Sequence, residues 1–341
     1  MTTRIHFTGP FRYRLCCAAE LSQSLLEVAT RRALKGPRLP GWNWFIELAT
    51  QMLKRQMLAA FRMRDVKESR RYLDSILISS PALSEVNITP VVREKFSGSW
   101  YVGKHTAPAL TVLYFHGGGY SFYPRAYANF IALFTMAAKS RIFALDYRLA
   151  PEHPFPAQLE DAFSAYRWLL EKGVDPDSLI LAGDSAGGNL TLALLLAIRE
   201  SKVPLPALAV ALSPPTDSQT DLIANWEFDW IEKRMLDQWA DWFCDAAERR
   251  NPLVSPLWAD LAGLPPIYIQ AGRAEILYDS ILAFADRARK QGADVVLETW
   301  EDMNHDFQMF GLESPQSAEA LRRIGQVIEE KVCVRKGVLT A

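Results

Sequence analysis

Apolar and polar positions change rhythm along the chain. Leu21, Leu25, Val28 and Ala29 recur at helical spacing before Gly36-Pro37 breaks the pattern, and Phe45, Leu48, Met52 and Leu53 begin a second stripe after Pro40-Gly41. The first 80 or so residues therefore read as helical. From Glu85 the period shortens: Val86-Asn87-Ile88-Thr89 alternates, Trp100-Tyr101-Val102 follows Gly98, and Leu110 to Phe115 is a continuous β-rich run. Strand-like runs then alternate with helix-length amphipathic segments. Ile142 to Leu145 precedes Ala157 to Glu171, Leu179 to Ala182 precedes Asn189 to Glu200, and Ile267 to Gln270 precedes Ile281 to Lys290. Val295 to Trp300 is followed by a last helix within the final thirty or so residues. That alternation predicts an α/β fold, with a mostly parallel central sheet flanked by helices.

One stretch interrupts the rhythm. Between residues 217 and about 255, Trp226, Trp230, Trp239 and Trp242 fall at three- and four-residue steps among longer gaps, between two sheet-forming regions. It reads as a helical cap inserted into the α/β domain. The expected organisation is an N-terminal helical cap region over 1–84 and an α/β domain over 85–341 carrying the insertion at about 217–255. Aromatic stripes at helical spacing serve packing as readily as they line a pocket, and both uses are open for these tryptophans.

Composition narrows the partners. With 38 Lys and Arg against 39 Asp and Glu, the 341-residue chain has a formal net charge of -1, which removes the basic footprint that nucleic-acid binding needs. The longest apolar stretch, Leu190 to Ile198, is far shorter than the ~20 residues of a membrane span. No apolar core followed by a small-residue cleavage site marks the first thirty residues. Cys16, Cys17, Cys244 and Cys333 have no metal-ligand spacing, and reduced thiols in a cytoplasmic protein are expected.

The chemistry is concentrated in a few short segments. Gly183-Asp184-Ser185-Ala186-Gly187 lies between an apolar strand and an apolar helix, the setting in which a tight strand-to-helix turn exposes a nucleophilic serine. Upstream, His116-Gly117-Gly118-Gly119 follows the Leu110 to Phe115 strand; consecutive glycines leave backbone N–H groups open to a ligand carbonyl, as an oxyanion hole requires. The amide of Ala186, directly after the serine, is the expected further donor. Of the five histidines, only His305 lies beyond the Ile267 to Gln270 strand, where the order serine, acid, histidine places the base. The loop after that strand offers Glu275 and Asp279. Glu275 is nearer the strand end and is the expected acid, whereas Asp279 suits the start of the next helix. Tyr120 and Phe122, just after the glycines, are expected beside the substrate. Asp184 is grouped with them as a residue that supports the elbow or the substrate loops.

With Asp146-Tyr147-Arg148-Leu149-Ala150-Pro151-Glu152 and Glu160-Asp161-Ala162, these segments make the chain resemble the hormone-sensitive lipase family of α/β-hydrolases, in its GDSAG esterase branch, over about residues 85 to 330. The resemblance implies cofactor-free hydrolysis of carboxylic esters with short to medium acyl chains and no metal. It implies Ser185 as nucleophile, His305 as base, Gly117, Gly118 and Ala186 as oxyanion donors, and homodimers. The family usually carries Asp in an Asp-Pro-Leu segment at the acid position, where this chain reads Glu275-Ile276-Leu277. An amidase or deacetylase would use the same residues and differ only in pocket contacts. A non-catalytic small-molecule binding protein on the hydrolase fold would instead bind ligand without releasing product.

Overall fold

The computed structural model describes residues 3–104, 106–219 and 227–333. The chain opens with a short strand β1 (Arg4–Phe7) and helices α1 (Phe11–Lys35), α2 (Trp44–Phe61) and α3 (Val66–Leu73), followed by strand β2 (Ile76–Ser79) and the single turn α4 (Pro81–Ser84). Asn43 caps α2 by accepting from the Ile46 amide, and Asp65 caps α3 in the same way through the Glu68 amide. The expectation of an all-helical N-terminus is corrected here, because β1 and β2 pair antiparallel, Ile5 facing Ile78. Four-residue strands about seventy positions apart leave no local periodicity to read.

The remainder alternates as β3 (Val86–Val92), β4 (Ser97–Gly103), β5 (Ala107–Phe115), α5 (Tyr127–Ala138), β6 (Ser140–Asp146), α6 (Ala157–Glu171), β7 (Leu179–Asp184), α7 (Ala186–Glu200), β8 (Leu208–Leu212), α8 (Lys233–Phe243), β9 (Ile267–Gly272), α9 (Tyr278–Lys290), β10 (Val295–Trp300) and α10 (Pro315–Ile328). The strands form one eight-stranded sheet in the order β10-β9-β8-β7-β5-β6-β4-β3. β3 and β4 are antiparallel at one edge, and the strands from β6 to β10 run parallel with β5. Every residue of β7, β8 and β9 is buried, as expected of parallel strands covered by helices on both faces.

The sheet's topology locates the site. After β6 the chain crosses over β5 to form β7 on its other side, so the loops after β5 and β7 diverge at their carboxyl ends and leave a crevice between them. The glycine segment follows β5 and Ser185 follows β7. Above that crevice the N-terminal helices meet α8: Phe61 of α2 lies edge-on to Phe122 and Trp239 and stacks on Trp242, with ring centroids 5.3 to 5.9 Å apart. Trp226 lies outside the described residues. No helix among those described is long and apolar enough to cross a membrane.

Candidate active site

Ser185 has φ 49° and ψ -122°, a conformation that costs a non-glycine residue energy and that a tight turn must impose. The turn is possible because its neighbours have no side chains. A Cβ at Gly187 would run into the backbone of Phe115 and His116, and one at Gly183 into Gly187 itself. The Ser185 amide is anchored to the Leu212 carbonyl at 2.8 Å, and α7 starts at the next residue. The hydroxyl is therefore held at the mouth of the crevice with the positive end of α7 behind it.

His305 Nε2 is 2.9 Å from Ser185 Oγ. Its loop is fixed from the cap side, where Trp230 donates through Nε1 to the His305 carbonyl at 2.9 Å. Glu275 is fully buried. Its Oε2 accepts from the Ser213 hydroxyl at 2.6 Å and from the Gly272 amide at 3.0 Å. Glu275 Oε1 and His305 Nδ1 are both buried without a hydrogen-bond partner, and each group acts electrostatically on the other. Asp279 is exposed in the first turn of α9, away from this cluster.

Three carboxylates surround the imidazole. Burial alone would lower the basicity of His305, but Asp306, then Glu275 and Asp229, outweigh it and push its pKa up to about 9. Burial holds the Glu275 carboxyl well above its ordinary range, opposed by His305 and the Ser213 bond. Asp229 is buried and saturated by main-chain donors: Oδ1 accepts from Trp230 and Ile231, and Oδ2 from Ile276 at 2.7 Å.

The three glycine amides are not equivalent. Gly117 does not offer its N–H to a ligand, because that amide donates to Asp184 Oδ2 at 3.1 Å. Gly118 and Gly119 instead border the cavities that reach Ser185, at φ 102° and 59°, and their amides have no partner among the described residues. A Cβ at Gly119 would enter the ring of Trp239. The loop is stiffened by His116, whose Nδ1 donates to the Gly117 carbonyl at 2.7 Å and whose ring is sandwiched between Tyr123 and Tyr147. Burial keeps that imidazole neutral, at about 3.

Two cavities meet at Ser185 with Trp239 between them. One, of about 70 Å³, is bordered by Tyr120, Ala186, Leu236, Phe243 and Leu277. The other, of about 240 Å³, runs beneath α2 and the β1–β2 pair, past Phe122, Met52 and Met57 to Ile5 and Ile78. Tyr120 and Phe122 thus face different cavities. Asp184 faces neither; its carboxylate lies behind the elbow, accepting from Tyr114 at 2.5 Å and Tyr127 at 2.8 Å as well as from Gly117, so it supports the loops and is not a substrate contact. Sequence reasoning missed Gly119, Ser213, Asp229 and Asp306. Only Gly119 carried a signal, as the third of three glycines. Among the described residues no group of three His, Cys, Asp or Glu side chains is placed to hold a metal ion.

The alpha/beta hydrolase fold family model matches residues 112–309. An acetyl-hydrolase of Streptomyces hygroscopicus is 39% identical over 222 residues, covering 63% of this chain and 74% of its own. An esterase of Acinetobacter venetianus is 31% identical over 265 residues, 75% of this chain and 86% of its own. Among solved structures, an esterase from the bacterial hormone-sensitive lipase family superposes with a TM-score of 0.78 at 33% identity, over 85% of this chain and 99% of that one. EstE5, soaked with p-nitrophenyl butyrate, superposes with a TM-score of 0.79 at 30% identity, over 86% of this chain and all of that one. On this likeness, together with the serine and histidine that the fold brings into contact, the chain belongs to the alpha/beta hydrolases on their hormone-sensitive lipase side and is a carboxylic ester hydrolase.

Proposed function

We propose that the enzyme cleaves esters of short to medium acyl chains by two-step acyl transfer through a Ser185-His305-Glu275 triad. The observation that carries this is the 2.9 Å contact between His305 Nε2 and Ser185 Oγ at a backbone-strained elbow. In the first step Nε2 takes the hydroxyl proton as Oγ attacks the carbonyl carbon. The developing oxyanion is held by the amides of Gly118, Gly119 and Ala186, and the alcohol leaves with the proton returned from Nε2. Water then attacks the acyl-enzyme by the same route and releases the acid. Glu275 Oε1 faces the imidazolium electrostatically and holds the tautomer that leaves Nε2 free.

The two cavities divide the substrate. The proton-delivering nitrogen marks the leaving-group side, and Asp306, 3.2 Å from Nε2, borders the larger cavity. That space is assigned to the alcohol, and the smaller one, beside Ala186 and Tyr120, to the acyl group. The acetyl-hydrolase name of one relative supports a small acyl group. The described parts of residues 1–84 and 217–255 act as one cap over the site, a reading supported by the aromatic contacts of Phe61 with Trp239 and Trp242.

Rates on p-nitrophenyl butyrate test the assignment. Ser185→Ala is expected to lower kcat by up to ~10⁶-fold, and Glu275→Gln by ~10³ to 10⁴-fold. Asp279→Asn should leave the rate close to that of the parent enzyme. Turnover by the Ser185 variant at the parental rate, or an exchange of the two acid results, would overturn it.

A further inference from the structure

Asp306 is a second carboxylate at the reacting centre that the triad does not use. It immediately follows His305, is 2% exposed, and places Oδ2 3.2 Å from the nitrogen that must deliver a proton to the departing alcohol. Its backbone adopts φ 51° and ψ 34°, the left-handed region that disfavours side chains, Asp and Asn less than most. Its amide is tied to Ser213 Oγ at 3.3 Å, the same hydroxyl that donates to Glu275. The second oxygen, Oδ1, is buried and has no hydrogen-bond partner. The residue borders the larger cavity, whose other lining is dominated by aliphatic and aromatic side chains such as Met52, Met57, Phe122 and Met309, with Gln56 and Ser185 as polar members. A buried carboxylate oxygen without a donor is costly, and a ligand that brings a donor relieves that cost.

We propose that Asp306 is a specificity-determining residue that accepts a hydrogen bond from the alcohol half of the substrate, selecting esters whose otherwise apolar alcohol bears a hydroxyl or ammonium group on the carbon next to the ester-bearing one. This rests on the triad reading and on the larger cavity as the alcohol's place. The spacing follows from the geometry. The leaving oxygen must come within hydrogen-bond reach of Nε2, and Asp306 Oδ2 already lies there, so the donor that meets this carboxylate must be a near neighbour of the leaving oxygen. A donor further along the alcohol would lie beyond this carboxylate, among mainly apolar side chains such as Met52 and Met57 that share the lining with Gln56. Asp306 also faces the same imidazole nitrogen that Ser185 uses. A donor that engages the carboxylate draws it from Nε2 and leaves the nitrogen to the serine, so the preference should appear in kcat as well as in KM.

The test compares three butyrates on one carbon skeleton: hexyl, 2-hydroxyhexyl and 2-(dimethylamino)hexyl butyrate, the last protonated and so a cationic donor. The parent enzyme should favour both donor-bearing esters over hexyl butyrate by about tenfold or more in kcat/KM, the charged one most. D306G, which suits the left-handed backbone and removes the carboxylate, should bring both ratios to about one. D306N keeps an acceptor without the charge, so it should retain the hydroxyl preference and lose the cationic one. Thermal melting of both variants separates lost folding from lost selectivity, and D306N supplies the reading if D306G does not fold. A parent enzyme with no preference, or a D306G enzyme that keeps it, overturns the proposal. Ser185→Ala assayed on hexyl butyrate distinguishes the two failures: if it still turns over, the triad reading fails, whereas if it is inactive while D306G keeps the preference, only the role of Asp306 falls.

Discussion

At the scale of single residues, the proposed mechanism makes the imidazole's surroundings set the pH at which the enzyme works. A histidine whose charged form is favoured by Asp306, Glu275 and Asp229 is protonated at neutral pH, and a protonated Nε2 cannot take the Ser185 proton. Because the shift is upward, to about 9, the competent neutral fraction is small below that value and grows as pH climbs through it. We therefore expect kcat/KM for a neutral ester to rise across the range from about pH 6 to about 10, far above the ~6.5 of a free imidazole. Asp306→Asn should move the midpoint downward. A parental profile already flat at pH 7 would show that the carboxylates do not act on His305 as their positions imply. The pairing of Ser185 with His305 was readable from order and spacing, because a tight glycine-flanked turn and a histidine in the loop after the last strand leave local marks. Asp306 was not readable, since its importance lies in a distance across the fold. The engagement of the Gly117 amide was hidden for the same reason: all three glycines look alike in the chain, and only the position of Asp184 shows which amide is already bonded.

At the scale of elements, α8 matters most because one of its residues borders both cavities. The tryptophans of residues 217 to 255 left open whether such a stripe lines a pocket or packs, and the described ones divide between the two. Trp242 stacks on Phe61, whereas Trp239 covers Gly119 and forms the wall between the two chambers. Trp239→Ala should therefore widen the smaller chamber and raise the relative kcat/KM for longer acyl chains over acetate, at a stability cost of ~3 to 5 kcal/mol for a buried tryptophan. An unchanged chain-length profile on a p-nitrophenyl ester series would place the acyl group elsewhere. The rhythm of the sequence foretold α6 and β10 to the residue, but β8 was overlooked. Its Leu208-Ala209-Val210-Ala211-Leu212 core is a short apolar run without alternation, which fits a buried strand or a piece of helix equally well.

At the scale of the whole molecule, the two ends of the chain hold each other. The Gly41 amide donates to Asp302 Oδ2 at 2.7 Å, the indole of Trp42 to the Asp302 carbonyl at 2.5 Å, and Asn304 Nδ2 to Thr50 Oγ1 at 2.8 Å. Trp42 and Ile46 share a buried cluster with Met303, Phe307 and Phe310. The loop bearing His305 thus leans on helix α2 on one side and on Trp230 on the other. Trp42→Ala should lower stability by ~3 to 5 kcal/mol and reduce kcat as well, measured by thermal melting and ester turnover. A loss of stability with kcat intact would mean that the loop keeps its place unaided. This mutual support has a consequence for biosynthesis. A ribosome releases residues 41 to 50 long before residues 302 to 310, so the early helices must wait for their partner, and the nascent polypeptide acquires its reactivity only when that later segment has emerged. Removing the segment up to residue 50 should silence an enzyme whose proposed reacting side chains all lie further downstream.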